Sequence, residues 1–121
     1  MKAIRQQLNY HAGLAAEGAV ERYYSARGAQ MRHQRWRGRG GEVDLIASQN
    51  GELVFIEVKK STTHAQAAQR LGRRQLQRIM AAAEEFLAGE PAGLLTPMRI
   101  DLALVNAAGE IEVIENAGMW A

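Results

Sequence analysis

The 121-residue chain has no cysteine, which excludes disulfides and thiolate metal sites. Its three histidines, His11, His33 and His64, are scattered and show no zinc-ligand spacing, so each reads as a surface or packing residue. No segment approaches the roughly 18 apolar residues that would span a membrane, and Met-Lys-Ala-Ile-Arg-Gln-Gln at the N-terminus lacks the apolar core of a secretory signal. A soluble, cytoplasmic protein without a membrane partner is expected. Repeats, low-complexity tracts and linkers are absent too. At 47% hydrophobic and 23% charged, a chain this short buries one core and is not expected to divide, so residues 1–121 read as a single domain.

Net charge is also low, at +2, but it is unevenly spread. Residues 1–41 carry eight basic and two acidic side chains, and residues 59–78 carry six basic and no acidic ones. Between them lie Glu42, Asp44, Glu52 and Glu57; residues 79–121 hold seven acids against Arg99 alone. Twelve of the fifteen basic residues are arginine, whose planar donor fork suits phosphate. An acidic centre framed by arginine-rich segments suits a nucleic-acid backbone. Arginine usage in high-GC genomes would give a similar composition, so it is the clustering that favours nucleic acid.

The acidic centre has a definite geometry. Two runs of alternating character, Glu42–Ser48 and Glu52–Lys60, flank Asn50-Gly51, the strongest short-range signal for a two-residue hairpin. With Asn50 and Gly51 at the corners, facing residue numbers sum to 101, which sets Asp44 opposite Glu57 and Glu42 opposite Lys59. Because side chains alternate along a strand, Glu42, Asp44, Glu57 and Lys59 are predicted on one face, with Val43, Leu45, Ala47, Val54, Ile56 and Val58 on the other. Facing Cβ atoms lie about 4.5–5.5 Å apart, and like charges there are destabilising. A divalent cation between Asp44 and Glu57 would compensate, since magnesium is commonly held by one or two carboxylates plus water and phosphate oxygens. Lys59 would then orient or deprotonate a water, or steady charge developing on a phosphate. The alternative is a solvated strand face with a Glu42–Lys59 salt bridge and a tolerated acid pair.

Around the hairpin the chain reads as alternating elements. Residues 10–27 form a helix ended by Gly28, with Gly13, Ala16, Val20 and Tyr24 on one face and Glu17 inside that arc. Glu17 either supplements the acid cluster or pairs with an arginine or tyrosine at the core edge. Ala29–Arg37 is a first strand, in which Trp36 borders the core or stacks on a base. The loop Gly38-Arg39-Gly40-Gly41 reads as flexible, with Arg37 and Arg39 as backbone contacts; it lacks the lysine of a P-loop. After capping residues Ser61-Thr62-Thr63, a long helix spans about Ala65–Leu87. Its apolar face is Ala68, Leu71, Ile79, Ala83 and Phe86, and Arg70, Arg73, Arg74 and Arg78 lie opposite. Its arginines precede Glu84 and Glu85, the reverse of what the helix dipole prefers. Gly89–Pro97 is a loop, Arg99–Val105 and Ile111–Ile114 are strands, and Asp101 reads as a structural partner of Arg99 or of nearby backbone. The order α-β-β-β-α-β-β suits an α/β fold with helices on a mixed sheet.

Asp44 followed after twelve residues by Glu57-x-Lys59 resembles the signature of the PD-(D/E)xK nucleases, which include restriction enzymes and Holliday-junction resolvases. More narrowly, Gly41-Glu42-Val43-Asp44-Leu45-Ile46 with Phe55-Ile56-Glu57-Val58-Lys59 resembles the bacterial YraN family. Glu17, Trp36-Arg37, Gln75, Arg99-Ile100-Asp101 and Asn116-Ala117 fall where that family has similar features. Two departures are Lys60-Ser61, where the family tends to have an arginine, and Arg35, where it tends to have an asparagine. The resemblance implies a restriction-endonuclease-like mixed sheet and metal-dependent hydrolysis of DNA. Asp44 and Glu57 would hold Mg2+ or Mn2+, Lys59 would position water, Glu17 would assist, and Gln75 would orient the cluster. Arg37, Arg39, Lys60, Arg70, Arg73, Arg74 and Arg78 are the expected nucleic-acid contacts. An inactive nucleic-acid-binding or protein-interaction module on the same fold is the alternative. RNA is open as a substrate, and a homodimer would suit a junction-cutting enzyme.

Overall fold

The computed structural model describes residues 2–117, with side chains described from residue 13 onward. Helix α1 (Lys2–Ala26) is followed by strands β1 (Gln30–Arg37), β2 (Glu42–Gln49) and β3 (Glu52–Lys60), helices α2 (His64–Gln69) and α3 (Arg73–Leu87), a 3-10 turn at Gly93–Leu95, and strands β4 (Met98–Val105) and β5 (Ile111–Ile114). Helix α1 begins earlier than residue 10, because no glycine or proline interrupts residues 2–9. It ends as the sequence predicts. Gly28 takes φ +85° and donates to the Ser25 carbonyl at 3.1 Å, while Ala29 N–H reaches the Tyr24 carbonyl at 3.0 Å, the two bonds of a Schellman motif.

The long second helix is two helices. Thr63 caps α2 by accepting from Gln66 N–H at 3.1 Å, but the chain turns extended at Gly72 (φ −91°, ψ 165°) before α3 begins. Glycine weakens helix propagation, and the break lets α2 lie over β4 while α3 packs on β2.

The five strands form one mixed sheet in the order β1-β2-β3-β4-β5, antiparallel throughout except for the parallel β3–β4 pair. Both turn residues of the β2–β3 hairpin have positive φ, Asn50 at 51° and Gly51 at 81°, as a type I′ turn requires. Its register runs as predicted from Gln49↔Glu52 to Leu45↔Ile56.

Both faces of the sheet are covered. Leu45, Ala47, Val54 and Ile56 pack with Ala16, Val20 and Tyr24 of α1, whereas Ile46, Leu53 and Phe55 pack with Leu76, Ile79, Ala83 and Leu87 of α3. Phe86 anchors the second layer by edge-to-face contacts with His33, Trp36 and Phe55. Trp36 is thus a core-border residue. On the α1 side, fully buried Asp101 accepts from Tyr24 Oη at 2.7 Å, Arg99 Nε at 3.0 Å and Asn116 N–H at 3.0 Å. Burial, then this bond, raises the Tyr24 pKa. The structural role expected of Asp101 holds. Among the described residues, no helix is long and apolar enough to cross a membrane.

Candidate active site

The acid pair lies where the hairpin comes apart. Regular pairing stops at Leu45↔Ile56; beyond it, Asp44 Oδ2 accepts the Val58 N–H at 2.8 Å. A side-chain carboxylate therefore takes the place of a ladder carbonyl. Strand β1 turns at the same level, with Arg35 at φ 50°. Gln34 and Arg35 bond Glu21 and Glu17 of α1, yet Trp36 packs beneath α3. Val43, opposite Trp36, turns with it into the α3 layer instead of sharing the face of Leu45 and Ala47. Strict alternation thus fails at residues 43–45. The Glu42–Lys59 bridge of the alternative, solvated-face reading does not form either: Glu42 pairs with Arg37 at 2.8 Å, and Lys59 Nζ lies 3.6 Å from Glu57 Oε1.

Five predicted site residues do converge. Glu57 is only 6% exposed, and Gln75 Nε2, from the first turn of α3, donates to its Oε1 at 3.1 Å. Burial first, then the adjacent Asp44 charge and a hydrogen bond with it, push the Glu57 carboxyl up to about 8, against the downward pull of Lys59. Without a further cation Glu57 therefore keeps its proton up to about pH 8, because its protein surroundings do not neutralise a second charge beside Asp44. Glu17 lines the same cleft as Asp44, Glu57, Val58 and Lys59. Its carboxylate accepts from Arg35 Nε at 3.1 Å. Burial raises its pKa, the Arg35 bond lowers it, and the Asp44 charge raises it again. Glu17 is thus paired with an arginine, and it also borders the acids.

The cluster opens on both sides of the sheet. One cleft is lined by Glu17, Lys59, Lys60 and Arg70. The other runs between the glycine loop and α3 and is lined by Arg37, Arg39, Gln75, Arg74 and Arg78, with Asp44 and Glu57 common to both. Arg73 lies apart from these, beside an apolar groove with Leu102 and Ile114.

The oxygen donors fit a hard divalent cation. Among the described residues, no three His, Cys, Asp or Glu side chains gather closely enough to make an all-protein cage. Magnesium does not need one, since it retains water and is typically held by one or two carboxylates.

Residues 16–105 match the family described as Uncharacterised protein family UPF0102. The chain belongs to UPF0102. This is the YraN family that the motifs resemble. The UPF0102 protein of Cereibacter sphaeroides strain KD131 is 59% identical over 111 residues, covering 92% of this chain and 95% of the relative. That of Ruegeria pomeroyi is 55% identical over 119 residues, covering 97% of each. That of Ruegeria sp. strain TM1040 is 50% identical over 113 residues, covering 93% of this chain and 91% of the relative. The UPF0102 match contains Glu17, Asp44, Glu57, Lys59 and Gln75.

Sequence reasoning anticipated an arginine on Glu17 without naming Arg35, and it missed two features of the site: the Val58 N–H on Asp44 and a contact from Glu85 to the glycine loop. Only the last left a signal, in the unfavourable placement of Glu84 and Glu85 in the second half of the helix.

Proposed function

We propose that this UPF0102 protein is a magnesium- or manganese-dependent endonuclease that hydrolyses DNA phosphodiester bonds, at branched or otherwise structured sites. The observation that carries the reading is the buried Glu57 carboxylate beside Asp44, with the Lys59 ammonium 3.6 Å away. Two adjoining acids with an unneutralised charge are costly, and a divalent cation would remove that cost. Asp44 and Glu57 are the residues to hold it. When bound, the ion would polarise the phosphate and lower the pKa of a coordinated water.

The chain's own residues supply the rest. Val58 N–H fixes one oxygen of Asp44, and Gln75 fixes Oε1 of Glu57, so both carboxylates are oriented before substrate arrives. Lys59, held against Glu57, orients the attacking water and steadies charge on the phosphate oxygens. Glu17, with its raised pKa, accepts or passes on a proton at the edge of the site. Arg37, Arg39, Arg74 and Arg78 take the nucleic-acid backbone along one cleft, and Lys60 and Arg70 take it at the other.

Manganese titration followed by calorimetry separates these roles. Wild type should take up metal, Asp44→Ala should lose it, and Lys59→Ala should bind metal but not cleave DNA. Equal uptake by wild type and Asp44→Ala would remove the acid pair from the account. Nucleic-acid binding that is undiminished in chelator, without any metal uptake, would leave a non-catalytic binding module on this fold.

A further inference from the structure

The glycine loop is fastened to α3. Gly38 N–H donates to the Gly41 carbonyl at 2.9 Å, closing the loop on itself, and Arg39 N–H donates to both oxygens of Glu85, at 2.8 and 3.1 Å. None of the three glycines needs a positive φ; what they need is the absence of a side chain. A Cβ at Gly41 would sit 2.5 Å from the Arg78 carbonyl oxygen, one at Gly40 would sit 3.1 Å from the Ala81 Cβ, and one at Gly38 would strike the Glu85 carboxylate. Positions 78, 81 and 85 form one stripe of α3, so the loop runs along three successive contacts on the helix. Flexibility, the expected role of these glycines, gives way to close packing.

Glu85 also resolves an oddity in the helix. A carboxylate in the second half of a helix opposes the macrodipole, yet here it receives a charge-assisted bond from loop backbone. Glu85 is not among the residues lining the arginine cleft; it holds the loop from behind, and the loop bears Arg39 and follows directly on Arg37 at the end of β1, both lining the cleft with Arg74 and Arg78. We infer that Glu85 is a positioning residue for nucleic-acid binding: it clamps the glycine loop to α3, and so spaces the two arginine walls to take a sugar-phosphate backbone between them. This rests on the proposed nucleic-acid function of the cleft, though not on catalysis.

The sign of the effect makes the inference testable. If Glu85 acted only through its charge, removing it near an arginine cleft would tighten binding to a polyanion. If it positions the loop, removing it weakens binding. Fluorescence anisotropy with labelled linear and four-way-junction DNA, in chelator over a series of salt concentrations, would compare five proteins. Glu84→Ala removes the same charge one residue away, at an exposed position, and should bind as wild type or a few-fold tighter. Glu85→Gln keeps an acceptor for Arg39 N–H and should behave likewise. Glu85→Ala should bind roughly 3- to 10-fold more weakly, with a salt slope shallower by about one to two as phosphate contacts are lost. Gly41→Ala moves the loop without altering charge and should weaken binding similarly, so the test survives if Glu85→Ala fails to fold. Glu85→Ala binding as tightly as Glu84→Ala, or Gly41→Ala binding as wild type, would overturn the clamp while leaving the nuclease reading intact. Wild type that binds without metal-dependent cleavage would overturn the nuclease and leave the clamp. Wild type that does not bind nucleic acid at all would overturn both.

Discussion

Replacing Glu57 with glutamine should stabilise the metal-free protein at pH 8 and leave it nearly unchanged at pH 5. The ordinary glutamate value is 4.5, and in the fold Glu57 titrates at about 8. Between those limits the folded protein keeps a proton that the unfolded chain has released, so stability falls as pH rises through the window and levels off above about 8. At about 1.4 kcal/mol per unit, the whole shift is on the order of 5 kcal/mol. Two clefts wet the pair, so about half of that, roughly 2–3 kcal/mol, is the realistic size. For a chain of this length it corresponds to roughly 8–12 °C in Tm. Glutamine has nearly the same shape, retains the Gln75 contact and cannot ionise, so the difference between variant and wild type isolates the carboxyl. The assay is thermal or urea denaturation in chelator from pH 5 to 9. Magnesium should restore stability to wild type at pH 8 and do nothing for Glu57→Gln. Superimposable curves for the two proteins across the range would refute the uncompensated acid pair.

Elsewhere the expected effects follow from single contacts. Asp101→Ala leaves the Arg99 guanidinium, the Tyr24 hydroxyl and the Asn116 N–H without their buried acceptor, and should cost about 3–5 kcal/mol in a denaturant titration. Tyr24→Phe removes only one of those bonds and should cost about 1 kcal/mol. Gly28→Ala forces a side chain into φ +85° and should destabilise by about 1 kcal/mol, read as a lower urea midpoint at constant slope.

Local chemistry made much of this molecule legible in its sequence. Asn50-Gly51 sets the hairpin register, Thr63 starts a helix and Gly28 ends one, and these signals work because a turn or cap is decided by adjacent residues. What stayed hidden depends on residues far apart in sequence. The hairpin ladder ends at Asp44 because a side chain takes the Val58 N–H, and Val43 changes layer because Arg35 turns β1 beside it. Periodicity cannot register either event. It also runs straight through Gly72, where separate packing partners split one predicted helix into α2 and α3. The candidate site was legible as a set of residue types, Asp44, Glu57, Lys59, Glu17 and Gln75. Its arrangement was not: Glu42 turns to Arg37, Arg73 lies outside both clefts, and the glycines serve packing.

Cleavage of labelled linear, flapped and four-way-junction DNA by the purified protein, with magnesium, manganese or chelator and with Glu57→Ala alongside, decides whether Asp44 and Glu57 form a metal-dependent nuclease site. The expected result is cutting that requires the metal and disappears in the variant. Intact DNA on every substrate with either metal, or cutting that persists in chelator or in Glu57→Ala, would contradict it.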